Sequence, residues 1–192
     1  LAAKVESIFE MDWTAGIKVS GSVETVAITP AGDPNIEMET DGIRLLASPK
    51  AKTPKGVADS LTVILSAIMS AKRSVAIQLY EYSTKQKVKP WYRIQDSLIE
   101  AARRGVQVRL LVDSTSLKKD KEGLTALSQI QNISVKTVVI PQYSGGPIDY
   151  ARLVHSKYMI VDENNVWVGT ENWSHGYFEN SRNVGMLFSD TT

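Results

Sequence analysis

The sequence predicts an α/β fold built on a mixed, largely parallel sheet flanked by helices on both faces. Two observations carry this. Short apolar runs rich in Val, Ile and Leu recur at Asp41–Pro49, Ser74–Tyr80, Val106–Asp113 and Val135–Ile140. Between them lie longer segments whose apolar residues return every three or four positions. Helices that separate buried strands give parallel neighbours, because a parallel crossover needs about a dozen residues.

The chain divides at about residue 40. Val5, Ile8 and Phe9 form a short helical stripe that Met11-Asp12-Trp13-Thr14-Ala15-Gly16 breaks. Residues 17–40 alternate small and β-branched side chains with Gly21, Pro30, Gly32, Asp33 and Pro34, the pattern of a linker with one or two strands. Residues 1–40 are therefore expected to be the close of an earlier unit plus a linker, and 41–192 the folded domain. The chain opens at Leu1 with no initiator methionine, which suggests a piece of something longer.

Asp41–Pro49 should be a strand running into a loop that carries Lys50, Lys52 and Lys55. From Gly56 to Lys72, Val57, Leu61, Ile64, Leu65, Ile68 and Met69 mark one face of a helix. Ser74–Tyr80 follows as a strand, with Glu81 at its end. Tyr82–Trp91 is a basic loop in which Lys85, Lys87 and Lys89 mix with aromatic residues, as a phosphate backbone or a headgroup surface would accept. Tyr92–Arg104 reads as a helix closed by Gly105, Val106–Asp113 as a strand, Leu117–Gln131 as a helix and Val135–Ile140 as a strand. Pro141–Tyr150, with Gly145-Gly146-Pro147, is a connection suited to a turn or a substrate-facing loop.

Val154–Asp162 is the informative stretch. As a strand, it puts His155, Lys157 and Met159 on one face and Ser156, Tyr158 and Ile160 on the other. Glu163-Asn164-Asn165 then turns the chain, and Val166-Trp167-Val168 returns beside it, carrying Thr170 and Asn172 toward the histidine end. Val184–Phe188 is the last strand, and His175 is expected to be a surface histidine. His155 on a buried strand could be a satisfied core histidine, and Lys157 a snorkelling lysine. The chemistry the set suits is attack at a phosphate ester. Imidazole serves as nucleophile or proton donor near neutral pH, lysine supplies fixed positive charge, and a hydroxyl and an amide donate to remaining oxygens.

Composition narrows the rest. With 43% apolar and 22% charged residues, the chain is of the globular class. A net charge of +1 argues against a generic polyanion binder while leaving room for a local basic cleft. No cysteine is present and His155 and His175 are the two imidazoles, so the inventory offers no thiolate metal site and calls for no metal or cofactor. No apolar run reaches bilayer length.

His155, Lys157 and Asp162 in H-x-K-x-x-x-x-D spacing, followed by Gly169-Thr170-x-Asn172, resemble the signature of the phospholipase D superfamily. Tyr150-Ala151-Arg152, His155-Ser156-Lys157-Tyr158-Met159 and Gly169-Thr170-Glu171-Asn172-Trp173-Ser174 look most like the second repeat of the branch with animal lysosomal phospholipase D-like proteins and poxvirus envelope relatives. The resemblance implies a phosphodiesterase or phosphatidyltransferase working through a phosphohistidine. His155, Lys157 and Asp162 would be its catalytic motif, with Lys157, Thr170 and Asn172 around the phosphate and Asp162 holding the strand-end geometry. Phe9-x-x-Asp12-Trp13 is similar to the exit from a first repeat. It also implies a site at a pseudo-twofold interface, and these residues contain one copy of the motif. The other half would come from a preceding repeat or from a homodimer partner. In the first case His155 would be the general acid, and in the second it would serve both roles. Many family members place a glutamate eleven positions beyond the asparagine to orient the histidine, whereas this chain has Asn183 there. The implied substrate is a phosphodiester of a phospholipid or of single-stranded nucleic acid, with peripheral membrane contact as a further possibility. The rival reading is a catalytically degenerate half that binds or scaffolds.

Overall fold

The computed structural model describes residues 42–141, 143–146, 148 and 151–189; the expected tail and linker over 1–40 lie outside them. The described residues form strands β1 (Ile43–Ser48), β2 (Ala58–Asp59), β3 (Ser74–Leu79), β4 (Gln107–Asp113), β5 (Ile133–Val138), β6 (Tyr158–Val161), β7 (Asn165–Gly169) and β8 (Asn183–Ser189). The helices are α1 (Ser60–Ser70), α2 (Arg93–Arg103), α3 (Ser116–Ser128) and the short α4 (His175–Glu179).

One eight-stranded sheet runs in the order β2-β1-β8-β7-β6-β3-β4-β5. It is mixed, as expected. The parallel character is confined to β3-β4-β5 and the short β1-β2 pair, and the pairings among β1, β8, β7, β6 and β3 are antiparallel. The β6-β7 hairpin accounts for one of these antiparallel pairings, β7 and β8 pair across a longer connection that holds α4, and β3-β6 and β1-β8 join strands distant in sequence.

Alternation decides which face is buried. In β3, Val75, Ile77 and Leu79 join one core with Val108, Leu110 and Val112 of β4, Met159 and Val161 of β6 and Trp167 of β7. Helices α1, α2 and α3 place Leu61, Ile64, Ile68, Leu98, Ala102 and Leu127 against that same face. Burying each of the Leu and Ile side chains among them is worth about 1.5–3 kcal/mol. Among the described residues, the helices thus cover one face. The other face carries Ala76, Gln78, Arg109, Leu111, Tyr158 and Ile160 around an open depression of about 490 Å³. At its β1-β8 end, Leu45, Ala47 and Val57 close a separate small cluster with Val184 and Met186.

Helix α1 begins later than its apolar pattern does. Ala58 and Asp59 are held as β2 beside Leu46 and Ala47, and Asp59 then caps the helix by accepting from the Thr62 N–H at 2.9 Å. Helix α2 ends as expected, with Gly105 at φ +95° just beyond Arg104. Strand β5 starts and ends two residues before the predicted bounds, leaving Val139 exposed past its end.

Candidate active site

The predicted strand Val154–Asp162 is shorter in the structure. Pairing with β3 ends at Gln78–Tyr158 and pairing with β7 at Tyr158–Val168, so β6 holds only Tyr158–Val161. Residues 154–157 keep the alternation without a ladder. They are fixed instead by single bonds: the Val154 N–H donates to Asp113 Oδ2 at 2.9 Å, and the Lys157 carbonyl accepts from the Gly169 N–H at 3.3 Å. Asp113 is buried at the carboxyl end of β4, and its Oδ1 accepts from the Thr115 N–H at 2.9 Å.

His155 and Lys157 are brought together. Lys157 Nζ donates to the His155 carbonyl oxygen at 2.8 Å and stands 3.4 Å from both ring nitrogens of His155. Equal distances to both nitrogens are not the geometry of a linear bond to either, so the ring nitrogens retain capacity for another partner. The Tyr80 ring backs the pair, with its centroid 5.0 Å from that of His155 and 5.8 Å from Lys157 Nζ. Lys157 is 7% exposed, and burial pushes its ammonium below the ordinary value of 10.5. An ammonium in that position gains most when an anion arrives. On the opposite parity, Ser156 Oγ accepts from Gln78 Nε2 at 2.5 Å and Tyr158 Oη donates to Gln78 Oε1 at 2.9 Å. His155, Lys157, Gly169 and Thr170 line a depression of about 470 Å³.

The second part of the site follows β7. Asn172 is buried, and its Oδ1 accepts from the Glu81 N–H at 3.2 Å. Occupying the amide oxygen in this way fixes the flip of the side chain and leaves Nδ2 as the free donor. The backbones join as well: Trp173 N–H donates to the Glu81 carbonyl and Ser83 N–H to the Trp173 carbonyl, each at 3.0 Å. Thus Tyr80 touches the His155-Lys157 pair, and Glu81, the next residue, holds Asn172.

Thr170 and Asn183 are brought to each other rather than to His155. The Thr170 hydroxyl donates to Asn183 Oδ1 at 3.1 Å, which commits its single hydrogen. Asn183 Nδ2 lies within 3.2 Å of the Ser48 hydroxyl, and within 2.7 and 3.1 Å of the Tyr177 and Ser181 carbonyls. The Asn183 amide is consumed by these bonds and makes none to His155.

Asp162 sits at the other end of β6, about 20 Å from His155 by strand rise. Its carboxylate accepts from the N–H groups of Lys72, Arg73 and Ser74 at 2.7, 2.7 and 2.9 Å. Burial alone would raise its pKa, but these bonds and the Arg73 charge outweigh that and hold the carboxyl below its ordinary 3.8. The side chain clamps the α1-β3 connection, and it is distant from the reacting pair.

Several residues around the site gave little sign of themselves in sequence. Asp120 breaks α3 at φ −151° and accepts from Thr84 N–H and Thr84 Oγ1, both at 2.7 Å, anchoring the start of the basic loop. Ser116 Oγ donates to the Tyr80 carbonyl at 2.9 Å and so steadies the end of β3. The usable signal for Asp113 and Ser116 is their position at the carboxyl end of a sheet strand and the start of the helix after it. His175 is half-buried, edge-on to Trp91 at 6.0 Å and 3.3 Å from Gln86 Nε2, which ties it to the basic loop. Among the described residues, no group of three or more His, Cys, Asp or Glu could hold a metal ion, and no helix is long and apolar enough to cross a membrane.

Comparison with known proteins supplies the family. A family model described as "Cardiolipin synthase, PLD-like domain" matches residues 64–192. The chain is 29% identical over 160 residues to the 5'-3' exonuclease PLD4 of Mus musculus, covering 76% of this chain and 31% of that protein. It is 27% identical over 202 residues to the virion nicking-joining enzyme of Vaccinia virus, covering 93% of this chain and 46% of that protein. It therefore spans less than half the length of either. Among solved structures, NucT from Helicobacter pylori superposes with a TM-score of 0.64 at 25% identity, covering 78% of this chain and 86% of that one. The animal and poxvirus relatives fall in the branch that the motif wording suggested. With the family model spanning both the His155-Lys157 pair and the Gly169–Asn172 turn, the chain belongs to the phospholipase D superfamily.

Proposed function

We propose that this chain supplies one half of a metal-independent site that hydrolyses or exchanges phosphodiesters through a phosphohistidine. The observation that carries the proposal is the buried Lys157 ammonium seated against His155, with ring nitrogens still available.

A histidine nitrogen attacks phosphorus, the bond to the leaving oxygen breaks, and a second histidine from the other half protonates that oxygen. Water or an alcohol then attacks phosphorus, gives its proton to the second histidine and displaces the first, which leaves both histidines as they began. His155 takes one of these roles when the other half is a preceding repeat, and both roles in a symmetric dimer. Lys157 and Asn172 neutralise and orient the non-bridging oxygens, where charge builds in the transition state. Thr170 acts through its bond to Asn183, and Asp162 through the fold. The substrate is a phosphodiester of phospholipid or single-stranded nucleic acid. The exonuclease and nicking-joining names of the relatives favour nucleic acid as the first class to try.

The test is hydrolysis of bis-p-nitrophenyl phosphate with and without EDTA, alongside the solution mass of the chain by light scattering. Chelator-resistant turnover by a dimer, lost in His155→Ala, is the expected result for a symmetric site. Turnover that EDTA abolishes and a divalent metal restores would overturn the metal-independent chemistry. A second reading, a degenerate half that only binds, rests on Asn183 being committed to Thr170, Ser48 and two carbonyls; it predicts phosphate binding without turnover in the whole protein.

A further inference from the structure

Glu171 stands between the two polar residues of the Gly169–Asn172 turn and is completely buried, at 0% exposure. Three successive side chains diverge here: Thr170 toward solvent and Asn183, Glu171 into the core, and Asn172 toward the Glu81 N–H. Glu171 Oε1 accepts from Ser60 Oγ at 2.6 Å, and Oε2 is buried without a partner among the described residues. Burial raises the pKa of this carboxyl and outweighs the Ser60 hydroxyl and the backbone N–H groups of Glu171 and Thr170, which lower it. Ser60 is the first residue of α1, and the preceding Asp59 caps that helix, so the bond ties the turn to a rigid element.

The carboxyl packs against the backbone of Gly169. A Cβ on Gly169 would collide with both Glu171 Oε2 and the Trp167 ring, so the glycine makes room for the acid. A simple core spacer would be a Leu or Met of similar volume, with no polar atom to orphan. A buried carboxyl bonded to a helix start specifies instead one rotation of the turn.

We infer that Glu171 is a positioning residue: its bond to Ser60 sets the rotation of the 170–172 turn and thereby aims the Asn172 amide at the phosphate. The inference rests on the phosphodiester reading only for what Asn172 binds; the coupling from Ser60 to Asn172 stands apart from it.

The experiment measures the NMR signals of the Glu81 backbone amide and the Asn172 side-chain amide, with inorganic phosphate titrated into each variant. Glu171→Gln retains an oxygen for Ser60 and is expected to match the wild-type chain. Glu171→Met, which fills the core without the bond, and Ser60→Ala are expected to shift both signals and to weaken phosphate binding about tenfold, the loss of about one buried hydrogen bond's worth of positioning. Thermal unfolding identifies any variant that fails to fold, and Ser60→Ala makes the test where Glu171→Met does not fold. Unshifted Glu81 and Asn172 signals in a folded Glu171→Met or Ser60→Ala chain would overturn the inference. A wild-type chain that binds no phosphate would overturn the phosphodiester reading, while the two signals would still decide the coupling.

Discussion

The two ends of β6 carry one sequence motif and face opposite demands. At the entry end, Lys157 is a desolvated cation beside an imidazole with spare capacity, backed by Tyr80. At the exit end, three backbone N–H groups converge on the Asp162 carboxylate, and the Arg73 side chain bonds the Asp162 carbonyl at 2.7 Å. One end is held short of satisfaction, and the other is satisfied by the fold itself. Unsatisfied polar groups lower stability and persist where an incoming ligand completes them, whereas satisfied ones raise stability and need no ligand. The contrast supports the proposal that His155 and Lys157 take part in the reaction and that Asp162 serves the architecture.

The largest effect that tests this contrast is on turnover. On the proposed mechanism, in which His155 is the nucleophile or the proton donor, His155→Ala should lower hydrolysis of a phosphodiester by about a thousandfold or more in the whole protein, with a melting temperature close to wild type. A variant that loses turnover only in proportion to lost folding would put His155 in the architectural class instead. Next, Lys157→Met should weaken phosphate binding by about ten- to a hundredfold and melt no lower than the wild type, because it removes a buried charge that the protein alone does not fully stabilise. The pH dependence has a definite sign. The folded value lies below the ordinary 10.5, so the unfolded chain holds more protons between the two. The cost of Lys157 to stability is full below the lowered value and disappears as pH rises past 10.5. The advantage of Lys157→Met should therefore be present at neutral pH and vanish in strong alkali.

Asp162→Ala is the mirror case. Three backbone donors lose their acceptor, which should cost about 2 kcal/mol of stability by denaturant unfolding while turnover per folded molecule stays unchanged. Its folded carboxyl lies below 3.8, so its contribution is complete above that value and is lost as pH falls through the lowered one. Acid unfolding of the wild-type chain should show this step and that of the variant should lack it. A turnover defect larger than the loss of folded protein would move Asp162 into the reacting group.

Sequence periodicity brought His155 and Lys157 to one side, and the same reading extended the strand four residues too far. Alternation persists through 154–157, but β3 and β7 supply no partners beyond Tyr158, and pairing is decided by those distant strands. The fold class was legible because helices and apolar strands take turns along the chain. The parallel bias does not extend beyond β5, because the strands at the carboxyl end, β6 to β8, enter the sheet antiparallel between β3 and β1. What stayed hidden depends on contacts far apart in sequence. Asn172 meets Glu81 across 91 positions, and Glu171 meets Ser60 across 111. No local spacing reports that a glutamate in a turn points into the core, or that the Glu81 backbone, rather than its carboxylate, serves the site. The resemblance implies Asn183, where many family members have a glutamate, as a partner for His155; Ser48, Thr170 and the Tyr177 and Ser181 carbonyls hold that amide instead.

Thr170 provides the smallest and most discriminating effect, because it lies between the two classes. Its position after Gly169 suggested a donor to phosphate, yet its hydrogen goes to Asn183 Oδ1, and its oxygen accepts from the Val184 N–H at 3.2 Å. Both bonds are internal, like those of Asp162, although the residue stands exposed at the rim of the His155 depression. Thr170→Val keeps the shape and removes the hydroxyl, so it should cost about 1 kcal/mol of stability and change phosphate affinity by less than about twofold. Titration of inorganic phosphate alongside urea unfolding separates the two quantities. A tenfold loss of affinity with unchanged stability would mean that the hydroxyl leaves Asn183 when phosphate enters. In that event the Thr170-Asn183 bond would be a resting arrangement of the reacting end of β6, and the boundary between reaction and architecture would run through Asn183 rather than through Thr170.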